Sequence, residues 1–112
     1  MDNADLSADL WIMAQVRQSN QRGIPAMILH KGDRDRGSLL LKINLLGPGC
    51  QILSQTRDLD GNLAWMAANK GALMSEPDAD EYVARALKRD PDLWVVELED
   101  RKGENPFGGT LL

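Results

Sequence analysis

The side chains that could do chemistry are few, and the densest group is acidic. Glu97 and Glu99 stand two residues apart near the C-terminal end, with Asp92 and Asp100 close by. Carboxylates so placed can share acid–base work or hold a metal. At the emerging end of a strand they more commonly meet water or pair with a cross-strand lysine or arginine. His30, the one histidine, could act as a base, but a half-exposed histidine at a strand end needs no such role. Cys50, the one cysteine, would need a positive microenvironment to be reactive, and otherwise serves as a small buried apolar group.

Several chemistries are missing. One histidine and one cysteine rule out zinc ribbons, zinc fingers and any two-histidine metal site. No phosphate loop, dinucleotide fingerprint or nucleophile elbow is present, and no serine has an evident base partner. Gly32 and Gly37 bracket a charged loop, but that loop leads into a strand, whereas phosphate loops lead into a helix N-terminus. No catalytic residue, cofactor or metal ligand is assigned.

The 112 residues carry a net charge of -4, unevenly spread. Residues 17–57 hold seven basic and two acidic side chains, a balance of +5, against -9 elsewhere. Arg17, Lys31, Arg36, Lys42 and Arg57 are therefore candidates for an anion- or partner-binding surface. Ordinary solvated positions give the same counts. The run Asp33-Arg34-Asp35-Arg36 reads as a self-neutralised loop tip. Trp11, Trp65 and Trp94 are spread over three elements and read as core, not as a stacking platform.

Elements of ordinary kind must position these groups. A helix is predicted from residue 8 to about residue 22, with Ser7 as N-cap, Gly23 past its end, and a Leu6–Trp11 staple. Its expected apolar stripe is Leu10, Met13 and Ala14 with the stem of Arg17, widened by Trp11 and the Leu6 end. A first strand, 24–31, is placed at an edge by Pro25. With the strand 38–46 it looks like a hairpin with a charged tip. Turns at Gly47-Pro48-Gly49 and Asp60-Gly61 set off a third strand, 50–57, and a fourth, 62–68, for which a short helix is the alternative. The short connections predict an antiparallel meander.

A second helix starts at Ser75, carries Ala79, Tyr82, Val83, Ala86 and Leu87 on one stripe, and stops before Pro91. The last strand follows. Its apolar run, 93–96, predicts cover on both faces, and Glu97-Leu98-Glu99 alternates toward water. The fold class is thus α+β in the order α-β-β-β-β-α-β, with the last strand entering after a helical crossover, beside a meander strand or between two. Both helices are expected on one face of the sheet, leaving Lys42 and Asn44 on an open face. Residues 1–101 form one domain, and 102–112 a weakly ordered tail. No stretch is long enough to span a membrane, the acidic N-terminus shows no secretory signal, and the lone cysteine fits a reducing cytoplasm.

Several stretches resemble a family of short, chiefly alphaproteobacterial proteins known only as a domain of unknown function. They are Leu10-Trp11, Gly23-Ile24-Pro25-Ala26, Lys31-Gly32-Asp33, Leu41-Lys42-Ile43-Asn44 and Asp58-Leu59-Asp60-Gly61. The most specific is Asp90-Pro91-Asp92-Leu93-Trp94-Val95-Val96-Glu97-Leu98-Glu99-Asp100-Arg101. The resemblance covers residues 9–101. It departs at Arg89, where the family often has an aromatic residue, a change of packing rather than chemistry. It implies a bacterial cytoplasmic protein and supplies no activity, substrate or catalytic residue.

The leading functional expectation is a small non-enzymatic interaction module that self-associates as a dimer or larger, and that could take a protein partner. The alternative is a nucleic-acid or anion-binding domain using a basic sheet face. A metal-assisted enzyme built on Asp92, Glu97, Glu99 and His30 ranks third.

Overall fold

In the computed structural model, which describes residues 6–112, the strand after Pro91 enters the sheet between two strands formed much earlier in the chain. The elements are α1 (Ala8–Gln21), β1 (Ala26–His30), β2 (Leu39–Asn44), β3 (Cys50–Arg57), β4 (Leu63–Ala67), α2 (Glu76–Arg89), β5 (Trp94–Glu99) and β6 (Thr110–Leu111). A single 3-10 turn, Asn69–Gly71, precedes α2. This is the expected α+β order with one short strand added. The acidic start, residues 1–5, lies outside the described residues, and so does the expectation made for it about secretion. Among the described residues no helix is long and apolar enough to cross a membrane.

The sheet order is β1-β5-β2-β3-β4-β6. β2, β3 and β4 form an antiparallel meander, while β5 runs parallel to β2 and antiparallel to β1. The hairpin expected of β1 and β2 is therefore opened by one strand. Its arms keep their opposite directions and β5 fills the gap. The intervening loop is built for this. A Cβ on Gly32 would stand 2.0 Å from the carbonyl oxygen of Asp92, and one on Gly37 would stand 2.5 Å from the same atom. The Asp33 N–H donates to that oxygen at 2.9 Å, and the Trp94 indole N–H donates to the Asp33 carbonyl at 2.7 Å. The loop wraps the start of β5.

Alternation along the strands divides the core. Leu39, Leu41, Ile43, Trp94, Val96 and Leu98 face α1, meeting Trp11 and Ile12. Leu40, Val95, Cys50 and Ile52 face α2, meeting Ala79, Val83 and Ala86. The helices thus lie on opposite faces, not on one, and the face carrying Lys42 is covered. The apolar runs of β2 and β5 are the reason, since side chains pointing both ways need cover on both sides.

α2 follows its predicted stripe, with the Ser75 hydroxyl accepting the Asp78 N–H at 3.2 Å. α1 follows its own only at Trp11. Leu10 and Met13 are exposed, while Trp11, Ile12 and Ser19 are buried. Ser19 can occupy the core because its hydroxyl donates to the Ile24 carbonyl at 2.7 Å.

The expectation of a weakly ordered tail is also corrected. Phe107 is buried, edge-on to Trp11 and Trp65 at centroid distances of 5.9 and 6.4 Å. Trp65 Nε1 donates to the Gly108 carbonyl at 2.6 Å, and β6 then pairs with β4. One aromatic anchor among glycines is enough to return the segment to the core.

Candidate anion-binding trough

The five basic candidates separate in space. Lys42 is 2 % exposed, beneath α2. Its ammonium donates to Asp80 Oδ1 at 2.7 Å, Glu76 Oε2 at 2.9 Å and Glu97 Oε1 at 3.4 Å. Burial works against the charge, but the hydrogen bonds to Asp80 and Glu76 and the field of Glu97 outweigh it and hold the proton more tightly than in an ordinary lysine. One ammonium among three carboxylates has nothing to offer an anion. Arg17 and Lys31 are exposed and lie outside the hollows described next.

Arg36 and Arg57 do come together. A hollow of about 180 Å³ opens where the start of α1, the β1–β2 loop and the ends of β3 and β4 meet. A second of about 170 Å³ adjoins it, and Arg36, Gly37, Gln55 and Arg57 line both. The first adds an apolar wall of Leu6, Trp11 and Leu63, and the carboxylate of Asp35. The second adds Ser38 and Thr56 and no acid.

Local structure holds these groups in place. Asp33 Oδ2 accepts the N–H groups of Asp35 and Arg36, fixing the loop as an Asx turn. The loop carbonyls of Asp35 and Arg34 accept the N–H groups of Ala8 and Asp9, which fastens the start of α1 to it. Beside this contact the Ser7 hydroxyl donates to Asp9, and that bond leads the Leu10 N–H and Arg34 in holding the Asp9 carboxyl below its usual range. Arg57 Nη1 donates to the Gly61 carbonyl at 3.2 Å, in a turn closed by Asp58. Gln55 Oε1 accepts the Leu39 N–H at 2.8 Å, so its amide nitrogen keeps both donors. Among the described residues neither Arg36 nor Arg57 pairs with a carboxylate, and the buried Trp11 indole N–H has no hydrogen-bond partner. Sequence reasoning missed Gln55, Ser38, Thr56 and the Trp11 wall, because nothing in their spacing marks a site that only strand register assembles.

Of the other chemistry-bearing residues, His30 and Glu97 have structural partners and Cys50 is buried. His30 Nδ1 lies 2.8 Å from the Leu93 carbonyl, which can only accept, so that nitrogen carries the hydrogen. Burial pushes the Cys50 thiol up, against a smaller opposing pull from Lys42. Glu97 is drawn to Lys42, and Glu97 and Glu99 share a separate hollow of about 120 Å³ with Asn20, Pro25 and Met27. Among the described residues no three of His, Cys, Asp and Glu are grouped to hold a metal ion.

The chain is a small α+β domain with one helix on each face of a mixed sheet, and Arg36 and Arg57 line a hollow at one end of it. The chain belongs to the DUF1491 family, described as a protein of unknown function, whose model matches residues 6–108. It is similar to a DUF1491 family protein from Caulobacter crescentus CB15 solved by crystallography, at 35 % identity and a TM-score of 0.81, over 96 % of this chain and 99 % of that one. An NMR structure of a DUF1491 family protein from the same organism matches at 35 % identity and a TM-score of 0.81, over 96 % of each chain. Protein Atu0922 from A. tumefaciens shares the fold, at 19 % identity and a TM-score of 0.69, over 84 % of this chain and 85 % of that one. No match to a curated protein is found.

Proposed function

We propose that this protein is a small non-enzymatic interaction module of the bacterial cytoplasm that docks an anionic group of its partner in the Arg36–Arg57 trough. The observation that carries it is two arginines lining one hollow, without carboxylate partners among the described residues. Paired arginines are suited to oxyanions because their donors form a fixed planar fork. Cys50 meanwhile is buried, His30 bonds a backbone carbonyl and Glu97 pairs with Lys42. A nucleic-acid strand is served less well, since Arg17, Lys31 and Lys42 lie elsewhere and the net charge is -4.

The test is thermal melting in acetate, sulfate and chloride at matched ionic strength. A specific site raises the melting temperature saturably. The Arg36→Gln/Arg57→Gln double variant should lose that component and keep only the general salt effect. Equal responses of the two proteins would contradict the reading.

Self-association is a second reading, favoured by edge strand β1, where Met27 and Leu29 are 61 % and 44 % exposed. The edge itself is guarded. The Asn20 side chain bonds both the N–H and the C=O of Ala26, and the register breaks between Ile28 and His30. Copies would therefore meet through these side chains and not by extending the sheet. Native mass spectrometry of Met27→Glu beside the wild type tests it, with a dimer lost in the variant as the expected result.

A further inference from the structure

We infer that the trough is a phosphomonoester site, in which Arg36 and Arg57 hold a phosphate head and the wall of Leu6, Trp11 and Leu63 in the first hollow takes the organic group attached to it. The inference rests on the anion-docking reading above and names the ligand.

Charge separates phosphate from carboxylate. The second hollow is lined by two arginines and no acid. A carboxylate would balance one of those charges, whereas a phosphomonoester carries about -1.5 to -2 at neutral pH. The donors fit as well. Arg57 is steadied by the Gly61 carbonyl, the Gln55 amide is held through its oxygen, and Ser38 and Thr56 add hydroxyls. Three phosphoryl oxygens can accept from the arginines and the amide together, while a planar carboxylate has two oxygens to share.

Size and polarity describe the rest of the ligand. The first hollow, about 180 Å³, has room for a single ring or short aliphatic group. Its apolar wall includes Trp11, whose indole N–H is the buried side-chain donor left unpartnered among the described residues. Asp35 lines the first hollow and opposes the phosphate. Its removal should therefore tighten binding, an effect a merely structural role would not produce.

The experiment titrates the ¹⁵N-labelled full chain with phenyl phosphate, inorganic phosphate and benzoate, following the Gly37 and Ser38 amides, the Gln55 side-chain amide and the Trp11 indole. Saturable shifts at these groups are expected with phenyl phosphate, which should bind about tenfold tighter than benzoate, as the second charge-assisted contact implies. Inorganic phosphate should bind at the same amides, more weakly. Arg36→Gln should weaken phenyl phosphate about tenfold, and Asp35→Asn should strengthen it, each with an unchanged melting temperature. Because Arg57 also anchors a turn, these two variants carry the test. Benzoate binding as tightly as phenyl phosphate overturns the phosphate assignment and leaves anion docking standing. Inorganic phosphate binding as tightly as phenyl phosphate overturns the role of the apolar wall. No shift at the trough with any of the three overturns both the inference and the reading beneath it.

Discussion

Lys42 Nζ lies 2.7 Å from Asp80 Oδ1, joining a buried lysine in the middle of β2 to the N-terminal half of α2. Glu76, one turn earlier, and Glu97 on β5 complete the contact, so a single ammonium ties helix, β2 and β5 together. Removing one member of a buried ion pair typically costs about 3–5 kcal/mol. Asp80 and Glu76 are 61 % and 53 % exposed and can turn to water, which lowers the expected cost of Lys42→Met to about 2–3 kcal/mol. Urea unfolding measures it. A loss near zero would mean that the lysine is only apolar filler.

The same cluster sets an alkaline limit. The folded state holds the Lys42 proton above the ordinary value of 10.5, so the contribution is complete below that pH and fades as the pH rises past it. The stability gap between wild type and Lys42→Met should be constant from neutral pH to about pH 10 and narrow above it. Chemical denaturation at stepped pH reads the gap, and narrowing already at neutral pH would refute the assignment.

The loop around β5 predicts a contrast among glycines. Gly32→Ala and Gly37→Ala drive a methyl against the Asp92 carbonyl, and at Gly37 also against the Trp94 ring. The carbonyl is backbone and cannot swing aside, so each change should cost about 3 kcal/mol or more. Gly61→Ala, with φ +82 and open space around it, should cost only the left-handed strain of about 1–2 kcal/mol. Thermal melts of the three variants decide the order.

These glycines also mark where the sequence stops being legible. α2 and β5 could be read because a clean stripe, an N-capping serine and Pro91 act locally. The stripe of α1 could not, because Ser19 is polar by type and buried only through its bond to the Ile24 carbonyl. The place of β5 between β1 and β2 depends on how closely residues 32 and 37 approach Asp92, a contact between distant parts of the chain. The trough is legible in two of its arginines and no further. Gln55, Ser38 and Thr56 join Arg36 and Arg57 only once β2 and β3 are in register.

The C-terminal segment yields a further test. Phe107 packs edge-on against Trp11 and Trp65, while Arg22 pairs with Glu104. Phe107→Ala should destabilise the domain by about 3–4 kcal/mol, in the range for emptying a buried aromatic site. A chain ending at Lys102 should lose at least as much, because β6 and the bond from Trp65 to Gly108 go with it. Scanning calorimetry compares the three proteins. A truncated chain as stable as the full one would show the segment to be peripheral.

Cys50 offers a probe of opening in the intact domain. Its side chain is fully buried against α2, and its N–H and C=O both bond to Met74. Burial raises the thiol above its ordinary value of 9.0, which lowers the thiolate fraction that any alkylating or disulfide reagent requires. The native thiol should therefore resist Ellman's reagent at neutral pH for as long as the α2 face stays closed, and should react at once in urea. Lys42→Met removes the nearby ammonium and loosens α2 together. The first effect raises the thiol further and slows reaction, while the second exposes it and speeds reaction. Loss of about 2–3 kcal/mol corresponds to a thirtyfold or larger rise in the open population. That outweighs the electrostatic effect, so labelling should accelerate in the variant. Slower labelling would show that α2 does not depend on the ammonium for its seat on the sheet.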